Sequence, residues 1–204
     1  MDSVIFQIVI LVMSVVVHEV SHGYAALWLG DETALNEGRL TLNPIKHLDP
    51  FGSVLLPILL SLVPGGIMFG WAKPVPYNPY NLNNRRWGEA IVAAAGPISN
   101  LVIAFVFGVF IRFGMAQGFS NDLIEVSLII VAINVLLAIF NLVPIPPLDG
   151  SKILFALVPE KYAKFKESME RAGFFLVLIF VFVLWQFLYP LVDALIKLFT
   201  GISF

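Results

Sequence analysis

Four stretches of this chain, residues 4–29, 88–111, 123–143 and 173–199, are apolar and long enough to cross about 30 Å of hydrocarbon at about 1.5 Å per helical residue. A segment in hydrocarbon has no water to bond its backbone, so it must satisfy its own N–H and C=O groups. The stretches are therefore predicted to be helices with the bilayer as their solvent. Composition agrees, since 59% of the 204 residues are hydrophobic and only 13% are charged, whereas a soluble domain carries about a quarter charged residues. Only Asp2 precedes the first stretch as a charged residue, and its helical pattern runs on past His18. It reads as a membrane helix rather than a signal peptide, which would begin with a basic segment. A fifth stretch, 53–69, is shorter and interrupted by Pro57 and Pro64-Gly65-Gly66.

The connections differ in kind. Residues 30–52 mix acids and bases with the turn signals Asn43-Pro44 and Asp49-Pro50. Pro74, Pro76 and Pro79 alternate with Val75, Tyr77 and Tyr80, so 71–80 is predicted to be extended. Such a segment suits either strand addition with a bound peptide or an interfacial loop anchored by Trp71 and Tyr77. Pro144, Pro146 and Pro147 break the chain just before Leu148-Asp149-Gly150, and the charged stretch 152–171 is predicted to be an amphipathic surface helix. The expected fold class is an all-α membrane protein with four to five transmembrane helices. It includes a re-entrant segment at 53–69 and a short extended Pro-rich segment at 71–80, within one domain over 1–204.

Within the first apolar stretch stands His18-Glu19-Val20-Ser21-His22. Residues four apart share one helix face, so the two imidazoles can reach a single ion, and Glu19 lies about 100° round the helix from His18. Three ionisable groups within five positions of a hydrophobic helix are costly unless they bind or react, which favours a metal site over a structural role. With no Cys in the chain, any further ligand must be His, Asp or Glu. A catalytic zinc usually has three protein ligands and an open position. Asp149 follows an apolar helix across a Pro-broken backbone, where unwound chain at membrane depth is tolerated only beside a buried or watery cavity. At this point it is equally a metal ligand or a helix cap. His47 reads as a loop or gate residue. Asn100 and Asn134 lie within apolar helices, where hydrogen bonding between helices is the first explanation for Asn100. The net charge of −2, without a basic tail, gives no sign of a nucleic-acid partner.

These residues carry a resemblance. His18-Glu19-x-x-His22 in an apolar helix, Gly96-Pro97-x-x-Asn100, and Asn141 through Pro144, Pro146 and Pro147 to Asp149-Gly150 resemble the site-2 protease family of intramembrane zinc metalloproteases. Asn43-Pro44-x-x-His47-x-Asp49-Pro50-x-Gly52 and Gly70-Trp71-Ala72-Lys73-Pro74-Val75-Pro76 look like its compact prokaryotic branch, which lacks PDZ and CBS domains. The resemblance implies one Zn2+ per chain held by His18, His22 and Asp149, with Glu19 as general base on a zinc-bound water. It further implies that Asn134 or Asn141 orients substrate or stabilises the oxyanion. The implied partners are the lipid bilayer and a membrane-spanning or membrane-adjacent protein or peptide substrate, with the oligomeric state left open.

Geometry and charge extend the expectation. For Asp149 to reach the histidines at one depth, the helices before them must run parallel, which an odd number of crossings between them achieves. A re-entrant 53–69 supplies that parity. It also puts all of the 12 Lys and Arg except Arg112 and Lys197 on one side, and by the positive-inside rule that side is cytoplasmic. A multi-pass cell-membrane protein is expected, with its site nearer the cytoplasmic face. Two other classes share some of these features: a membrane metal or proton transporter, and a non-cleaving binder of membrane proteins.

Overall fold

The computed structural model describes residues 3–49, 72–84 and 86–202. Among them no strand forms, and four helices are long and apolar enough to cross a membrane. The long helices are α1 (Ser3–Trp28), α3 (Gly88–Gln117), α4 (Asn121–Asn141) and α6 (Ala163–Thr200). Two shorter ones, α2 (Thr33–Asn36) and α5 (Asp149–Leu157), lie between them. The expected re-entrant segment 53–69 lies outside the described residues, as does Trp71.

Each boundary follows from local chemistry. Gly118 ends α3 in the left-handed region, at φ 72°, returning its N–H to Gly114 O, a conformation that costs glycine little. Asn121 opens α4 only three residues later, so α3 and α4 form a tight hairpin. The expected single surface helix over 152–171 is corrected: α5 stops at Leu157 and α6 begins at Ala163. The cause is Pro159, which forces the preceding residue out of the helical region; Val158 sits at ψ 124°. The charged residues 164–171 therefore form the first turns of the last membrane helix, which passes through a π-helical turn at Phe180–Leu184 and continues past Pro190.

Shared contacts fix the helix directions. Asn134 Nδ2 of α4 donates to Ser14 Oγ of α1 at 2.9 Å. Further along both segments, His18 and His22 meet Asp149 just beyond the end of α4. So α1 and α4 run parallel. On α3 the order is reversed, because Val92 meets His22 whereas Asn100 meets His18 and the carbonyl of Ser14. At the far end Arg112 of α3 donates to the carbonyls of Leu198 and Phe199, joining the last turn of α6. A core of Ala104, Ile111, Val131, Val135, Ile139, Val192 and Ile196 fills the space among α3, α4 and α6. Large apolar side chains such as Phe105, Val106 and Phe187 point outward, as a bilayer solvent permits and water does not.

The loops at the C-terminal end of α1 are tied by one buried carboxylate. Asp31 accepts from Thr33 Oγ1 at 2.6 Å, Asn78 N at 2.7 Å and Asn81 Nδ2 at 2.9 Å. Asn83 N adds a bond to Leu29 O. Burial alone would raise the Asp31 carboxyl, but its hydrogen bonds from Thr33, Asn78 and Asn81 outweigh burial and hold it below the ordinary value. A lowered folded value means that its stabilisation is present above the unfolded value and lost as pH falls through the folded one. Asp31→Asn is therefore expected to lower Tm by several degrees at pH 7. The gap between variant and wild type should narrow as pH falls below the ordinary carboxylate range in matched thermal scans.

Candidate metal centre

His18 and His22 project from the same face of α1 and are both buried. Their rings stand 4.6 Å apart between centroids, at 88° to one another. Asp149 occupies the first position of α5, and its Oδ2 lies 3.1 Å from His18 Nε2 and 3.4 Å from His22 Nε2. One ligand atom from each of the three residues falls within 4.8 Å of the others.

The hydrogen bonds on the far side of each imidazole decide what those atoms can do. His22 Nδ1 lies 2.7 Å from the carbonyl of Val92, which only accepts, so the ring's proton belongs on Nδ1. His18 Nδ1 lies 2.6 Å from Asn100 Oδ1. Asn100 Nδ2 in turn donates to Asn134 Oδ1, and Asn134 Nδ2 donates to Ser14 Oγ and Ile130 O. The amide chain runs in one sense, which turns the Asn100 oxygen toward His18 and again puts the ring proton on Nδ1. In its neutral form, each imidazole so held turns Nε2 toward the carboxylate oxygen as an available donor for a metal. Asp149 Oδ2 is buried without a hydrogen-bond partner. Two imidazole nitrogens and a carboxylate oxygen that converge in this way can share either a proton or a cation, and their spacing within 4.8 Å suits a single ion. Two imidazole nitrogens and one carboxylate oxygen are a donor set that suits zinc with an open fourth position.

The surrounding backbone is shaped around this point. A Cβ at Gly96 would lie 2.5 Å from His22 Nε2 and 2.6 Å from His18 Nε2, so the histidines occupy the space a side chain would need. A Cβ at Gly150 would run into the backbone of Leu142 and Val143, so glycine there lets the start of α5 fold tightly against the end of α4. Asp149 makes no side-chain cap for α5, whose N-cap is Leu148.

Glu19 is half-buried, and its Oε2 accepts from Val75 N at 2.8 Å. Residues 72–78 lie outside any helix, as expected. The extended segment expected over 71–80 gives way to a 3-10 turn at Pro79–Asn81, and several of its backbone groups are bound inward. Lys73 N bonds His47 O, Asn78 N bonds Asp31, and Arg39 Nη2 donates to Lys73 O and Pro74 O. Since Pro74 and Pro76 offer no N–H, the segment is a strap over α1 and a poor ladder for an incoming strand. Tyr77 packs beside Ala26, Leu82 and Val92. Burial first, then the negative charge of Glu89 and Asp149, pushes its phenol well above the ordinary value, so it remains a neutral donor.

Among the other candidates, Asn134 stands on the Nδ1 side of His18, one amide removed from it. Asn141 donates to Leu137 O of its own helix. His47 is buried in a short 3-10 turn with Nε2 2.8 Å from Thr41 O, a loop role. Sequence reasoning missed the partnership of Asn100 with His18, and it missed Val92, Ser14 and Val75 altogether. Asn100 had a signal, since it is an amide within an apolar stretch four residues after Gly96. The other three act through a carbonyl, a hydroxyl and an amide N–H that their residue types do not advertise.

Comparison with known proteins agrees with this chemistry. The family model for peptidase family M50 matches residues 113–184. The chain is similar to YwhC of Bacillus subtilis, named as a candidate zinc metalloprotease, with 41% identity covering 97% of this chain and 92% of that protein. It is also similar to Rip2 of Mycolicibacterium smegmatis, named likewise, at 30% identity over 82% of this chain and 62% of that protein. The zinc metalloprotease MJ0392 of Methanocaldococcus jannaschii is 26% identical over 81% of this chain and 38% of that protein. No solved structure matches the chain.

Proposed function

The chain belongs to peptidase family M50, the site-2 proteases, and as a zinc metalloprotease of that family we propose that it hydrolyses peptide bonds of membrane-spanning or membrane-adjacent substrates with Glu19 as general base. His18, His22 and Asp149 are the proposed ligands of a single zinc. The observation that carries this reading is the convergence of His18 Nε2, His22 Nε2 and the buried Asp149 Oδ2 on one point, with both Nδ1 atoms engaged on the far side.

When bound there, zinc supplies a Lewis acid that polarises the scissile carbonyl and lowers the pKa of water. The protein's own groups do the rest. With Oε2 held by Val75, Glu19 takes the proton from attacking water at Oε1 and returns it to the leaving amine nitrogen. Val92, and Asn100 backed by Asn134 and Ser14, hold the two imidazoles in the tautomer that faces the metal. On this geometry Asn134 is a positioning residue rather than an oxyanion donor. Asn141, at the end of α4 before the Pro-rich break, remains the proposed contact to substrate. A helical peptide bond is shielded by its own hydrogen bonds, so the substrate unwinds locally before cleavage.

The site lies toward the end of the bundle that carries the loops of residues 30–49 and 72–84. Among the described residues, only Arg112 and Lys197 of the Lys and Arg belong to the opposite end, where Arg112 bonds the last turn of α6. That asymmetry supports a cytoplasmic orientation in the cell membrane.

Glu19→Gln tests the reading. The variant is expected to keep one zinc per chain and to lose cleavage of single-span membrane peptides by at least about a hundredfold, the lower range for a general base. Zinc by elemental analysis and cleavage by mass spectrometry check it, and unchanged cleavage would remove Glu19 from the mechanism.

A further inference from the structure

We infer that the backbone N–H of Val75 positions the Glu19 carboxylate for proton transfer, making the strap of residues 73–78 a working part of the catalytic apparatus; this rests on the proposed role of Glu19 as base. The contact is direct, with Val75 N 2.8 Å from Glu19 Oε2. Val75 supplies the one backbone N–H among residues 74–76, because Pro74 and Pro76 carry none. Pro76 further confines Val75 to extended backbone, so the donor points in a set direction.

The strap is itself immobilised on both sides of that donor. Arg39, only 5% exposed, holds Lys73 O and Pro74 O, while the buried Asp31 holds Asn78 N. The Val75 side chain is buried against Gly23, four residues beyond Glu19 on the same face of α1. A Cβ on Gly23 would lie 2.9 Å from Val75 Cγ1. Anchoring the strap to α1 would require none of this to be aimed at the Glu19 carboxylate. Glutamate has three rotatable side-chain bonds and samples many rotamers. Fixing one oxygen on an immobile donor leaves Oε1 as the free base in a narrow range of directions, which is what proton transfer in a defined geometry needs.

Three replacements separate this role from packing. Val75→Pro removes the N–H, a backbone ester at position 75 removes it while keeping the isopropyl group, and Val75→Ala keeps the N–H while trimming the packing. On a single-span membrane peptide that the wild type cleaves, the proline and ester variants are expected to lose roughly tenfold in kcat, about 1.4 kcal/mol. Their KM should stay within about twofold and their zinc content at one per chain, as expected for lost orientation rather than lost binding. Val75→Ala is the packing control: it should lower Tm, and its loss in kcat should be clearly smaller than that of the ester variant. An ester variant with wild-type kcat would overturn the inference, and so would one with raised kcat, which would make the contact a restraint that cleavage must break. Amide hydrogen exchange needs no substrate. The Val75 amide should exchange slowly in the wild type and in Glu19→Gln, whose side chain still accepts, and fast in Glu19→Ala. Fast exchange in all three would overturn the contact itself. Cleavage surviving in Glu19→Gln would instead sink the base assignment, whatever the Val75 variants do.

Discussion

A methyl group at position 96 is expected to deprive the protein of its zinc. The Cβ of Gly96→Ala would sit 2.5 Å from His22 Nε2 and 2.6 Å from His18 Nε2, well inside van der Waals contact with both proposed ligand atoms. Flexible side chains often give way to such an intrusion, but these rings have nowhere to go. His18 is held by Asn100 at 2.6 Å and His22 by Val92 at 2.7 Å, so any swing of a ring breaks the bond that fixes its tautomer. Metal sites tolerate ligand displacements of only about 0.2 Å. Zinc affinity is therefore expected to fall on the order of a hundredfold, the upper range for loss of a supporting contact. Competition with a chromogenic chelator would measure it. Gly108→Ala is the matched control on the same helix, because its Cβ would meet Phe199 at 2.7 Å, at the far end of the bundle. It should lower Tm while each folded molecule keeps its zinc. Full zinc affinity in Gly96→Ala would mean that the metal lies elsewhere.

Asp149→Asn is expected to remove zinc and cleavage together while leaving the fold intact. Residue pattern left Asp149 open between metal ligand and helix cap, the family resemblance implied a ligand, and the substitution separates the two, since asparagine caps helices about as well as aspartate. Its amide carries no charge to neutralise a cation, so the donor set falls to two neutral nitrogens. Wild-type protein should gain thermal stability on adding zinc, because a ligand that binds only the native state stabilises it by mass action. The variant should gain little. Metal-free, the two should melt at similar temperatures, because Asp149 makes no cap for α5 and asparagine can occupy the same place. A metal-free variant that melts well below metal-free wild type would point to a structural carboxylate.

Much of this architecture is legible along the chain. The four membrane helices follow from runs of apolar residues, since length and hydropathy alone decide whether a segment can cross hydrocarbon. The helical spacing of His18 and His22 already puts them on one face. The surface-helix expectation over 152–171 failed where the proline at 159 stopped one helix and the charged turns after it joined the next. Charge content marks a surface, but it does not say which helix the charged turns belong to. Pro74 and Pro76 exclude an α-helix over 72–78 and Pro79 opens a short 3-10 turn, yet they are silent on what the backbone binds. That depended on Arg39, Asp31 and Glu19, which come from outside the segment.

The sequence by itself determined that this protein lives in a bilayer and that His18, Glu19 and His22 share one stretch of helix, because hydropathy and helical period are local properties. Only the tertiary structure decided the rest. It brought Asp149 to within 3.4 Å of both imidazoles across about 130 residues of sequence. It set Asn100 and Val92 behind the rings and left Gly96 as the space they fill. Those relations depend on the direction and depth of α1, α3 and α4, which are fixed by packing among helices and by a few buried hydrogen bonds. No local pattern records them.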